Sequence, residues 1–175
     1  MIDISVVIPV FNSNDAIFKL HRRLECVLGE LGLSYEVILV DDGGSADGWA
    51  HIKKLVAEKK FIKGLRFNRN YGQHNALLAG IRKATGQLIL TMDDDLQHPP
   101  EELPKLINAL TSKNLDVVYG YPTQQKHSLW RNSASRFSKF FLSHSMGPEI
   151  ALHISAFRLF QNKICRAFDS YSSPT

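Results

Sequence analysis

Two runs of acids, Asp41-Asp42-Gly43-Gly44-Ser45 and Asp93-Asp94-Asp95-Leu96-Gln97, carry the strongest chemical signal in this sequence. Carboxylates packed that closely repel one another unless a cation or hydrogen-bond donors offset the charge. Carboxylate and amide oxygens are the ligands expected for Mg²⁺ or Mn²⁺, and Mg²⁺ commonly combines one or two carboxylates with substrate phosphates. Asp93, Asp95 and Gln97 have that chemistry. On an extended segment their i, i+2, i+4 spacing would turn all three to one side and Asp94 elsewhere. Helix capping is the competing explanation for acids and amides near element ends. It suits Asp47 and the stretch Asn12 to Asn14, but it suits Asp93 and Asp95 poorly, because their crowding needs an offsetting partner. His98, directly before Pro99-Pro100, reads as a packing residue rather than a ligand.

Other phosphate-binding devices are missing: there is no GxxxxGK[ST] loop, and no GxGxxG follows the first apolar run. P-loop nucleoside triphosphatases and dinucleotide dehydrogenases are thereby disfavoured, and a cation must do more of the phosphate work. The stretch Asn68-Arg69-Asn70-Tyr71-Gly72-Gln73-His74 leads into a helical pattern, where phosphates are favoured. It reads equally as donors for such a group or as a plain turn with a glycine.

These residues need a frame. Short β-branched runs at Ile4 to Val10, Tyr35 to Val40, Gly64 to Phe67, Leu88 to Met92 and Val117 to Tyr119 read as strands. Between them Ile17, Leu20, Leu24, Val27 and Leu31 keep helical spacing after a cap at Ser13 or Asn14, and 47–60, 73–84 and 101–112 give further helices. A helix is expected over 129–144, a short strand over 154–158 and a last helix over 161–168. The alternation predicts an α/β fold, and runs such as ISVVIPV, apolar on both faces, predict a mostly parallel sheet covered by helices on each side. Ligands in such sheets bind beyond the carboxyl ends of the strands, which is where both acid runs fall.

Composition sets the outer bounds. With 175 residues, 44% hydrophobic and 22% charged, and no period among the glycines and prolines, the chain is one globular domain rather than a fibrous or disordered one. No apolar run approaches the roughly 18 to 20 residues of a membrane span, and Asp3 without a basic start argues against a secretory signal. Cys26 and Cys165 show no CxxC spacing and read as buried small hydrophobes in a reducing, cytoplasmic setting. The net charge of +4 is matched by Lys126, Arg131, Arg136 and Lys139, which lie in a stretch without acids and beside Trp130, Phe137, Phe140 and Phe141. That stretch could face phosphates or an anionic membrane surface, or be a helix with an ordinary solvated face. No nucleic-acid reader motif accompanies it.

The strings SVVIPVFN, LVDDG, NRNYGQHNALLAG and TMDDDLQHPPEELPKLI, in this order, resemble family 2 glycosyltransferases of the GT-A fold. The resemblance covers roughly residues 3 to 158. It is nearest to the polyprenyl-phosphate branch, which includes dolichol-phosphate mannose synthases and undecaprenyl-phosphate aminoarabinose transferases. It implies a Rossmann-like sheet, with 1–120 binding the nucleotide sugar and 121–175 forming the acceptor side of a single domain. The nucleotide would lie against Pro9, Phe11, Asn12, Asp41, Asp42, Asn70, Gly72, Asp93 and Asp94. Asp93, Asp95 and Gln97 would hold Mg²⁺ or Mn²⁺. Asp95, Arg131 and Glu149 would serve catalysis, Arg131 near the acceptor phosphate, and Ser155-Ala156-Phe157-Arg158 would close the far side. The chain departs from the family pattern at Ser13, where a Glu is usual, at DDGGS, which has one glycine more than DDGS, at Asp94, where a small residue is common, and at Glu149. The family normally continues further, so truncation at the C-terminus is expected.

The implied reaction is inverting transfer of a sugar from a nucleotide-diphosphate sugar to a polyprenyl phosphate, at the cytoplasmic face of a membrane with peripheral contact. A saccharide hydroxyl acceptor would need a general base, for which Glu149 is the candidate. A sugar nucleotidyltransferase would carry a glycine-rich basic loop where Pro9-Val10-Phe11-Asn12 stands, and a phosphorelay receiver would carry a lysine where Tyr119-Gly120-Tyr121 stands. A non-catalytic nucleotide-sugar-binding fragment is the remaining alternative.

Overall fold

The apolar runs ISVVIPV and YEVILVD form adjacent parallel strands, β1 (Ile4–Val10) and β2 (Tyr35–Asp41), buried along nearly their whole length. The computed structural model describes residues 2–12, 15–120 and 156–168. The remaining elements are α1 (Ala16–Glu30), α2 (Ala46–Glu58), β3 (Ile62–Arg66), α3 (Gln73–Lys83), β4 (Leu88–Thr91), α4 (Leu103–Ser112), β5 (Val117–Tyr119) and β6 (Arg158–Gln161). Single 3₁₀ segments precede α4 at Pro100–Glu102 and follow β6 at Asn162–Phe168. The sheet order is β3-β2-β1-β4-β6-β5, with β6 antiparallel to both neighbours and the other pairings parallel.

Alternation along the strands divides the core. Ile4, Val6, Ile8 and Val10 pack with Leu20, Leu24, Ile52, Leu55 and Leu106 under α1, α2 and α4. Val7, Ile38, Val40 and Ile89 pack with Ala76 and Leu77 of α3. Gly80 lets α3 lie close on that second face: a Cβ there would stand 2.4 Å from Val7 Cγ1. Helices therefore cover both faces, the expected α/β arrangement. No described helix is long and apolar enough to cross a membrane.

At the strands' amino ends, a buried carboxylate ties four segments together. Glu36 Oε1 accepts from Ser5 Oγ (2.6 Å), the Thr85 N–H (2.7 Å) and Thr85 Oγ1 (2.8 Å), while Lys63 Nζ stands 2.5 Å from Oε2. Burial alone would raise this carboxyl, but the Lys63 ammonium and the Ser5 and Thr85 donors outweigh it and hold Glu36 at about 2, below the ordinary 4.5.

Several expectations are corrected. β3 begins at Ile62, because the pairing of Ile62 with Val37 and the Lys63–Glu36 ion pair extend the strand toward its amino end. The last strand lies at 158–161 rather than 154–158, where Leu159 and Phe160 point to opposite core clusters. Asp47 does not cap α2; Ser45 does, accepting the Gly48 N–H at 3.2 Å. Cys26 is exposed, because the buried positions of α1 leave it on the solvent side, and Cys165 is half-buried. Asp15 stands at the N-cap position of α1, while Ser13 and Asn14 lie outside the described residues, as do the expected helix over 129–144 and the basic aromatic stretch.

Candidate functional site

The carboxyl ends of β1, β2 and β4 and the loop after β3 surround a cavity of about 360 Å³. From β1 come Pro9, Val10 and Phe11; from the end of β2, Asp42; from the loop into α3, Asn70, Gly72 and Gln73; and after β4, Asp93, Asp94 and Asp95. Phe11 is half exposed at the mouth. Two runs of acids some fifty residues apart in sequence thus reach one rim, because parallel strands end together.

Local folding explains how each acid is held. Asp42 is buried, and its two oxygens accept the backbone N–H groups of Tyr71 (2.8 Å) and Gly72 (2.9 Å), fastening the loop after β3 to the end of β2. Asp41 faces the other way and does not line the cavity. Its Oδ1 accepts the Gly44 N–H at 2.9 Å, and Arg66 Nε lies 3.1 Å from Oδ2, a charge contact rather than an aligned hydrogen bond. Asn12, in a left-handed conformation, spends its side-chain oxygen on the Ser45 N–H (2.8 Å) and is also absent from the lining.

The segment after β4 is not extended. Residues 94–98 bend, and Leu96 adopts φ +61° so that its side chain packs against the core. The turn overrides the alternate-residue expectation: Asp94 joins Asp93 and Asp95 on the cavity, whereas Gln97 is exposed and outside the lining. The Gln97 backbone N–H donates to Asp95 Oδ1 at 3.0 Å. Asp93 Oδ1 accepts from Gln73 Nε2. His98 stacks on buried Phe157 with ring planes 10° apart, the packing role expected of it.

The sequence offers Gln73 only within the stretch 68–74, as a donor or part of a plain turn, and gives no sign of its pairing with Asp93. Its only signal is its place as a polar residue directly after Gly72 at the start of a helix, and its partner is twenty positions away. Arg131 and Glu149 lie outside the described residues, as does Ser155.

The cavity side-chain atoms able to ligate a metal are carboxylate and amide oxygens, the set suited to a hard cation such as Mg²⁺ or Mn²⁺. Among the described residues no three His, Cys, Asp or Glu side chains are grouped closely enough to enclose an ion by themselves. The residues fit a cation that takes one or two carboxylates from protein and its other ligands from phosphates and water.

The family model described as Glycosyl transferase family 2 matches residues 5–168. An undecaprenyl-phosphate 4-deoxy-4-formamido-L-arabinose transferase of Klebsiella pneumoniae subsp. pneumoniae is 36% identical over 165 residues, covering 94% of this chain and 50% of that protein. One of Pseudomonas aeruginosa is 40% identical over 152 residues, covering 86% of this chain and 44% of that protein. The chain spans about half the length of the curated relatives it matches. Among solved structures, the mannosyltransferase PcManGT from Pyrobaculum calidifontis in complex with GDP-Man and Mn²⁺ matches with a TM-score of 0.66 at 14% identity, over 98% of this chain and 50% of that one. S. aureus TarS 1-349 in complex with UDP-GlcNAc matches with a TM-score of 0.65 at 18% identity, over 98% and 48%. At such identities these two show the fold, which is GT-A.

Proposed function

The chain belongs to glycosyl transferase family 2, and from that premise we propose that it transfers a sugar from a nucleotide-diphosphate sugar to a polyprenyl phosphate, with inversion at the anomeric carbon. The observation that carries this reading is the convergence of Asp42, Asp93, Asp94 and Asp95 with Pro9 and Phe11 on one cavity at the strands' carboxyl ends. The relatives' printed names supply the acceptor class.

In this reading the nucleoside lies along Pro9 and Phe11, beside the loop that Asp42 holds, and Asn70 and Gly72 border it. Asp93 and Asp95 face the diphosphate. A bound Mg²⁺ or Mn²⁺ would offset the negative charge that develops on the departing nucleoside diphosphate. Gln97 serves through its backbone, which orients Asp95, and is not part of the ligand set. The attacking oxygen of a polyprenyl phosphate is already anionic near neutral pH, so the chain need not supply a strong base. The acceptor side is assigned to 121–175, with Arg131 near the acceptor phosphate and Glu149 as the base should a hydroxyl be the acceptor. A lipid acceptor would bring the site to a membrane surface, on its cytoplasmic face.

Thermal-shift titration with UDP, GDP and their hexose conjugates, with and without Mn²⁺, tests the reading, because a ligand that binds only the folded chain raises its stability. One nucleotide series should raise Tm more with Mn²⁺ than without, and Asp95→Asn should remove that extra rise while leaving the unliganded Tm near wild type. No nucleotide-dependent shift in the wild-type chain would sink the proposal.

A further inference from the structure

We propose that Gln73 is a positioning residue for Asp93, holding that carboxylate in the orientation in which the site takes up its cation and diphosphate. The inference rests on the reading of the cavity as a nucleotide-diphosphate site and extends it to a residue with no assigned task.

Gln73 is the first residue of α3, yet its side chain does not serve the helix start. The position before it, Gly72, has no side-chain cap and adopts φ +92°. The amide instead reaches across the cavity, Nε2 donating to Asp93 Oδ1 at 2.5 Å. Both residues line the cavity. The backbone that carries Gln73 is itself fixed, since the Gly72 N–H donates to Asp42 Oδ2 and to Asn70 Oδ1, both at 2.9 Å. A continuous set of hydrogen bonds therefore runs from the end of β2, through the loop after β3, to the segment after β4.

The choice of an amide has a chemical reason. A carboxylate gripped at one oxygen loses rotational freedom before any ligand arrives, so less is lost on binding. A primary amide grips without bringing charge. A lysine or arginine at the same place would also hold Asp93, but it would cancel the negative charge that attracts a cation. Partners of this kind, one step removed from an ion, typically change its affinity by tenfold or more.

The test is Mn²⁺ binding read by electron paramagnetic resonance, which needs no turnover. The full chain, Gln73→Leu and Gln73→Lys are titrated with Mn²⁺ in the presence of UDP, or of GDP if the wild type prefers it, and separately with the matching nucleoside monophosphate without metal. Both variants should bind Mn²⁺ about tenfold more weakly than wild type, Gln73→Lys at least as weakly as Gln73→Leu, with monophosphate affinity unchanged. Equal Mn²⁺ affinity in Gln73→Leu would overturn the assignment. So would wild-type affinity in Gln73→Lys, which would refute the charge argument, or an equal loss of monophosphate affinity, which would make Gln73 a general determinant of cavity shape. A wild-type chain that binds the monophosphate but shows no cation-dependent diphosphate binding would overturn this inference together with the cation's place in the proposed function. A chain that binds no nucleotide would overturn both as a whole.

Discussion

Gly43 and Arg69 meet backbone to backbone: a Cβ on Gly43 would stand 2.3 Å from the Arg69 carbonyl carbon, and Gly43 already has φ +70°. The turn after β2 and the loop after β3 are thus pressed together without side chains between them, and Asp42 fastens the same loop two residues further on.

Gly43→Ala should therefore do two things. A left-handed alanine costs about 1 to 2 kcal/mol by itself, and displacement of the Arg69 backbone adds to that. The loss should show as a lower midpoint in urea unfolding. Nucleotide binding should weaken as well, because Asn70 and Gly72 ride on the displaced loop. A variant with wild-type midpoint and wild-type affinity would mean that the loops give way freely.

Asp42→Ala should cost about 2 kcal/mol, since it takes the acceptor from the half-buried Tyr71 N–H and leaves the Gly72 N–H with Asn70 Oδ1 alone, and it should weaken nucleoside monophosphate binding even without metal. Calorimetry with UMP and GMP is the check. A loss of affinity seen only when Mn²⁺ is present would place Asp42 with the diphosphate instead of the nucleoside.

Glu36 gives a pH signature. Its carboxyl sits at about 2 in the folded chain against an ordinary 4.5. A depressed folded value means that the contribution is complete above the unfolded value and disappears as pH falls through the folded one. Stability should accordingly drop between about pH 4.5 and 2. Glu36→Gln should be less stable by about 2 kcal/mol at neutral pH and should lose less over that window. Parallel pH–stability curves for the two proteins would remove Glu36 as the cause.

His21 acts in the opposite range. It is buried, neither ring nitrogen has a hydrogen-bond partner, and it borders an apolar void of about 10 Å³ among Ile8, Leu20, Leu39 and Leu55. Burial lowers its pKa below 6.5; Glu25, 3.6 Å away, pulls the other way but is more exposed and already paired with Lys59 at 2.6 Å, so burial wins. Folding thus favours neutral His21, and stability should begin to fall as pH drops below about 6.5. His21→Leu should gain about 1 kcal/mol at neutral pH and flatten that decline. A less stable leucine variant would show that the imidazole packs better than its missing bonds suggest.

The framework of β1 to β4 is legible because its signals are local. ISVVIPV and YEVILVD read as strands buried on both sides, and acids placed after parallel strands share a rim. The position of the four-residue β6 is not legible in the sequence, because RLFQ has no long alternation of its own and is fixed by pairing with β4 and β5. Alternate-residue spacing turns Asp94 away, whereas the family resemblance sets it beside the nucleotide; the cavity takes Asp94 in because a left-handed Leu96, drawn inward by its own apolar side chain, breaks the extended pattern. The family resemblance sets Asp41 beside the nucleotide, whereas the Gly44 N–H and Arg66 turn it away. The pairing of Gln73 with Asp93 is not legible, because an amide declares its partner only after the chain has folded.

The Gly120 N–H donates to the Phe157 carbonyl at 2.8 Å, so the chain departs from the sheet and rejoins it at adjoining points on the rim. A connection whose ends are already fastened side by side can lengthen cheaply: each doubling adds only about 0.6 kcal/mol of closure cost. The rim is in effect a socket. The segment between Gly120 and Phe157 can therefore change in length while β1 to β4 and the acid-lined cavity stay as they are, as a drill keeps its chuck when the bit is changed.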